Sequence, residues 1–165
     1  MLRNASLLAV LLMPAMAQAA FDLNGVALGA SERDVRMAFP SAYCKPLEWE
    51  STAAERRCDD ARVSFGGAQV RVTFYLKKDA VQAFDMRFDT RDFQRVKEQL
   101  SKSYGTPLAE TKDSFERRGK DGKEIYRARW EKGQDRAVLV VPLQDKRGQL
   151  TVSRGRFEEE IYRVR

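Results

Sequence analysis

Between Val70 and Leu76 the chain alternates strictly: Val70, Val72, Phe74 and Leu76 fall on one side of an extended segment, and Arg71, Thr73 and Tyr75 on the other. Side chains along a strand point to opposite faces with a period of two, so this stretch suits a sheet with one dry and one wet face. Its neighbours obey the same rule. Val63 and Phe65 alternate within residues 61–65 ahead of a Gly66-Gly67 turn, Lys77 to Ala80 reverses the chain, and residues 81–88 return with Phe84, Met86 and Phe88 on the dry side. Antiparallel strands joined by tight turns, with helices covering a single face, satisfy that pattern.

The next stretch, TRDFQRVKEQLSKSYG over residues 90–105, changes period. Phe93, Val96, Leu100 and Tyr104 line one side of a helix, Thr90 is the expected N-cap, Lys102 suits the negative end of the dipole, and Gly105 and Pro107 stop it. A shorter helix is expected upstream, opened by a capping-box pair at Ser31 and Asp34 and ended at Pro40. Superposing Val35 on Val96 brings Phe39 onto Leu100 and Tyr43 onto Tyr104, which suggests a duplicated unit. After the second helix, strands are expected over 108–116, 124–131, 137–143 and 150–154. Tyr126, Ala128 and Trp130 face inward there, and Arg127 and Arg129 outward. Pro142 marks an edge or bulge.

The expected fold class is therefore α+β, built from two tandem helix-plus-antiparallel-sheet units whose helices cover one sheet face. The expected boundaries are a signal peptide over 1–19, a first unit over 20–89 with a disulfide, a second over 90–155, and a charged tail over 156–165. In the tail, Phe157 and Ile161 allow one helical turn, but the charge density favours fraying.

The leader reading rests on Arg3, an apolar run from Leu7 to Met13, and small residues ending in Ala17-Gln18-Ala19. It predicts a periplasmic or secreted product with no transmembrane segment, since the apolar run is too short to span a bilayer. Cys44 and Cys58 are the only cysteines. An even number in an oxidising compartment predicts a disulfide, and closing that loop would stabilise the fold by about 3 kcal/mol. A thiol nucleophile or metal ligand is the competing reading, disfavoured because the chain has no His. No cofactor is expected. The net charge is +6, and the whole surplus lies after Asp89, which favours anionic partners as well as simple solubility.

The run Gly29-Ala30-Ser31-Glu32-Arg33-Asp34-Val35 ahead of a helix, followed by Cys44, Cys58 and an aromatic-rich hairpin, resembles the tandem-repeat fold of the secreted β-lactamase inhibitor proteins. It is also similar to the small outer-membrane assembly lipoproteins of the SmpA/OmlA type. Gly105 stands where the first copy has Cys44, and no Cys occupies a lipoprotein anchoring position. The resemblance implies a fold rather than an activity.

Catalysis is disfavoured: without His, general-base work would fall to Lys or to carboxylate groupings such as Asp59-Asp60 or Glu158 to Glu160, and no nucleophile elbow, phosphate loop or metal-ligand spacing is found. A non-catalytic protein-binding module of the cell envelope is preferred. Its contact residues on the open sheet face would be Arg71, Thr73, Tyr75, Arg127 and Arg129, with Trp49 added if it is exposed. The alternative is a basic surface for anionic polymer or lipid headgroups, carried by Arg117, Arg118, Lys120 and Lys123 around a hairpin tip. Nucleic acid is not an expected partner.

Overall fold

In the computed structural model the residues described are 20–117 and 120–162. The expected leader, Arg118, Gly119 and residues 163–165 lie outside them. The alternating stretch forms β5 (Ala68–Lys77), flanked by β4 (Arg56–Phe65) and β6 (Ala80–Asp89). Ahead of these come the two-residue strands β1 (Asp22–Leu23) and β2 (Val26–Ala27), then β3 (Tyr43–Pro46). Later strands are β7 (Ala109–Arg117), β8 (Lys120–Lys132), β9 (Asp135–Pro142) and β10 (Arg147–Arg154). The small hairpin turns through Asn24 and Gly25, both at positive φ, the combination a tight two-residue turn needs. The eight longer strands make one antiparallel sheet in the order β3-β4-β5-β6-β10-β9-β8-β7.

That order overturns the expectation of two tandem helix-plus-sheet units. The sheet is continuous through its middle, where β6 pairs with β10 from Ala83↔Ser153 to Asp89↔Arg147. A single apolar cluster runs beneath it from Phe21 to Val152. The superposition that suggested a repeat fails at its last position. Tyr43 lies on edge strand β3 and is 69% exposed, whereas Tyr104 closes a helix and is buried, its hydroxyl donating to the Asp22 carbonyl at 2.9 Å. Apolar residues every fourth position mark any helix with one dry side. Matching Val35 to Val96 and Phe39 to Leu100 therefore does not establish duplication.

Among the described residues three short helices accompany the sheet: α1 (Glu32–Ala38), α2 (Phe93–Tyr104) and α3 (Phe157–Glu160). Ser31 and Asp34 form the reciprocal capping box at α1, whose only buried residue is Val35. In α2 the four predicted apolar residues are buried, and Gly105 ends the helix at φ +81. Thr90 is not its N-cap. A 3₁₀ turn over Thr90–Asp92 intervenes, capped by the Asp89 side chain, and the Thr90 hydroxyl donates to the Asp145 carbonyl at 2.7 Å. Helical cover is also not confined to one face. Val35 of α1 and the apolar side of α2 belong to the main core, while α3 packs on the opposite face.

The core face is closed. Phe74, Phe84, Met86, Leu139 and Leu150 are fully buried, each side chain contributing about 1.5–3 kcal/mol relative to exposure. Trp130 belongs to this layer and donates from Nε1 to the Gly105 carbonyl at 2.9 Å. Gly148 sits directly opposite Phe88, and a Cβ there would lie 2.4 Å from the ring. Pro142 is the last residue of β9, a strand flanked on both sides rather than an edge. Its missing donor therefore falls at a strand end. The disulfide forms as expected and joins directly opposed residues of β3 and β4, with Cα atoms 3.9 Å apart.

Candidate functional site on the outer sheet face

The face turned away from the main core divides into a roofed part and a bare part. On the roofed part, Tyr75 of β5 and Ala83 of β6 are directly paired and buried with Ala53, Ala54, Phe157 and Ile161. The Tyr75 and Phe157 rings are 5.5 Å apart. Burial pushes the Tyr75 phenol well above its ordinary range. Residues 157–162 of the tail, where charge density favours fraying, are docked here: Trp49 donates from Nε1 to the Ile161 carbonyl at 3.0 Å and stacks on Tyr162 with ring centroids 5.9 Å apart. Ser51 and Thr52 donate to the Glu160 carbonyl at 3.4 and 3.3 Å. Apolar burial of Phe157 and Ile161 outweighs the solvation pull of three consecutive glutamates, which remain at the surface edge. Trp49 therefore belongs to the roof, and Tyr75 to the sheet surface buried beneath it.

The bare part is read most simply along rows that cross the strands. One row runs Arg71, Arg87, Gln149, Val140, Arg127, from β5 through β6, β10 and β9 to β8. The adjacent row runs Thr73, Asp85, Thr151, Val138, Arg129. The predicted residues Arg71, Thr73, Arg127 and Arg129 occupy the ends of these rows, on one face but about 19 Å apart across four strand spacings. The middle was missed by sequence reasoning. The signal was present, because placing Phe84, Met86 and Phe88 inward forces Asp85 and Arg87 outward. What the sequence did not supply was the pairing of β6 with β10.

Local contacts grade this surface. Arg127 pairs with Asp113 at 2.6 Å, and Arg129 lies 3.4 Å from Glu131. Thr73 donates to Asp59 at 2.7 Å, and Thr151 donates to Asp85 at 2.8 Å. Burial raises the Asp85 carboxyl above its ordinary value, partly opposed by the Thr151 hydrogen bond and by Arg87. Asp89, one step further along β6, is gripped by the Arg91 side chain and backbone, which pulls its pKa down to about 2. Val138, Val140 and Pro142, all half-buried, form the floor of an open depression of about 380 Å³ rimmed by Arg147, Gln149, Thr151 and Glu158. A second, of about 320 Å³, is lined by Arg71, Arg87, Arg147 and Lys146 with Gln69 and Asp89.

The other candidates are dispersed. Arg117 and Lys120 are paired at the end of the β7–β8 hairpin, Arg118 lies outside the described residues, and Lys123 is exposed with Asp145 at 3.7 Å. Asp60 is buried at the β4 bulge and accepts from the Arg62 amide, so it faces away from Asp59. Glu32, Cys44 and Cys58 bring ligand-type atoms within 4.8 Å of one another. Both sulfurs are in the disulfide, however, and the Glu32 carboxylate is held by Arg36 and Arg56, so the group offers no thiolate.

Comparison with protein-family models finds no matching family, and comparison with curated proteins finds no matching relative. Among solved structures the chain is similar to a DUF4309 family protein (YjgB) from Bacillus subtilis. The identity is 13%, the match covers 82% of this chain and 88% of the other, and the TM-score is 0.44.

Proposed function

We propose that the chain is an exported, non-catalytic module that binds another protein of the cell envelope through the bare part of its outer sheet face. The observation that carries this reading is the composition of that surface: an apolar centre of Val138, Val140 and Pro142 with a polar and cationic rim. Protein interfaces have this anatomy, with arginines enriched at the contact. Export is supported by the leader pattern and by the Cys44–Cys58 disulfide, which suits an oxidising compartment. No helix among the described residues is long and apolar enough to cross a membrane.

The test is co-purification from an envelope extract. A stoichiometric protein partner is expected to be lost with Arg129→Glu and Val140→Asp, and retained with Arg95→Glu on the far side of the molecule. Loss with the Arg95 variant and retention with the other two would overturn the reading. Tyr75→Ala is unsuitable, because that ring is buried beneath the roof.

A further inference from the structure

Within the bare area, the geometry points to Arg71, Arg87 and Arg147 as a receptor for the carboxylates of an acidic protein segment. This inference rests on the recognition reading above and specifies what the partner presents. Arg71 and Arg87 are directly opposed on β5 and β6, and Arg147 follows across β6, opposite Asp89. Like charges directly opposite in an antiparallel pair cost stability. None of the three arginines forms an ion pair within 4.0 Å among the described residues. The carboxylates nearby are occupied: Asp89 by Arg91 at 2.8 Å, Asp59 by Arg57 at 2.9 Å, and Asp85 by the Thr151 hydroxyl. With Lys146, four cations line one open depression whose only carboxylate is already paired.

The surroundings select the source of the anion. The roof rises from the same face and carries Glu158, Glu159 and Glu160, with Glu158 on the rim of the adjoining depression. A uniformly anionic surface such as a bilayer meets that acidic ridge before it reaches the arginines. A chain segment whose carboxylates are followed by apolar side chains meets both requirements, placing acids on the guanidinium groups and apolar groups on Val138, Val140 and Pro142. The planar guanidinium fork takes a carboxylate through two parallel hydrogen bonds, a geometry that lysine cannot reproduce.

The experiment is an amide-shift titration of the ¹⁵N-labelled, oxidised chain with an acetylated Gly-Glu-Glu-Asp-Leu-Val-Gly amide, its Gln/Asn counterpart, inorganic phosphate and phosphatidylglycerol vesicles. The acidic peptide is expected to move the amides of residues 71, 87, 147 and 149. Its affinity should fall about ten-fold in the double variant Arg71→Lys with Arg87→Lys, which keeps the charge and loses the fork. Thermal unfolding of that variant, unchanged from the parent, shows that the fold is intact. Affinity retained within two-fold in the lysine variant, shifts that map elsewhere, or equal shifts with the neutral peptide, phosphate or vesicles would overturn the inference. If the peptide misses the strip while Arg129→Glu still abolishes partner capture, the acidic-segment inference fails alone. If the peptide seats on the strip and no envelope protein co-purifies, the recognition reading is what fails.

Discussion

Two patches of the same sheet face, with only the Thr73–Asp85 row between them, are treated in opposite ways. Where Tyr75 meets Ala83, the chain lays two further segments on the sheet, one from residues 47–54 and one from the C-terminal turn. Where Arg71 meets Arg87, both arginines stay exposed and none of the described residues covers them. The difference lies in the outward side chains. An aromatic ring beside an alanine gives Phe157 a flat apolar seat, whereas two opposed guanidinium groups give a covering segment only a desolvation cost. The roof thus marks how far this fold covers its own outer face, and the arginines mark where self-coverage ends.

Three perturbations test that contrast. The largest effect is expected from Cys44→Ser with Cys58→Ser, since the bond closes the loop that carries Trp49 to Ala54. We expect a loss of about 3 kcal/mol in urea unfolding. Hydrogen exchange should rise first in the tail, while amides 71 and 87 stay protected. Uniform loss of protection would show that the roof is not a separate layer. Next is Phe157→Ala, expected to cost about 2 kcal/mol because the ring covers the sheet at its margin instead of filling its centre. The same variant should shift Trp49 emission to the red, with Trp130 unaffected in a Trp49→Phe control. Acidic-peptide affinity should stay within two-fold, and a larger change would tie the patches together.

The smallest effect concerns Asp85, on the boundary row. Its folded carboxyl is raised by burial, so between the unfolded pKa and the folded one the native state holds more protons than the unfolded state. Stability therefore falls as pH rises through that window. Asp85→Asn should be more stable than the parent at pH 7 and no more stable at pH 3, as read from paired urea curves. A gain that persists at pH 3 would mean that the carboxyl's ionisation is not the cause.

Much of the first sheet half was legible because alternation is a local signal. Val70 to Leu76, Phe84 to Phe88 and the apolar side of α2 each announce their dry face within a few residues. The capping box at Ser31 is equally local. The errors arise where a contact spans long sequence separations. Tyr75 reads as solvent-facing because its partner in burial, Phe157, lies 82 residues away in a segment dominated by glutamates. Trp49 gave no sign that Ile161 would accept its indole proton. Arg87 and Arg147 were overlooked together, since only the β6–β10 register makes them neighbours. The supposed duplication came from reading apolar spacing without edges or exposure, and Tyr43 on its outer strand exposes the mistake.

The position of β10 carries a consequence for how the molecule is completed. The final long strand in the sequence is the fifth of eight across the sheet, and Phe84 waits for Val152 before the two flanks are bridged. Until that span closes, β6 and β9 each have only one of their two sides paired, so assembly hinges on a distant pairing of the kind that makes folding slow. Shortening this polypeptide from its C-terminus past Arg154 would consequently remove a keystone, leaving two curtains of strand with nothing to hang between them.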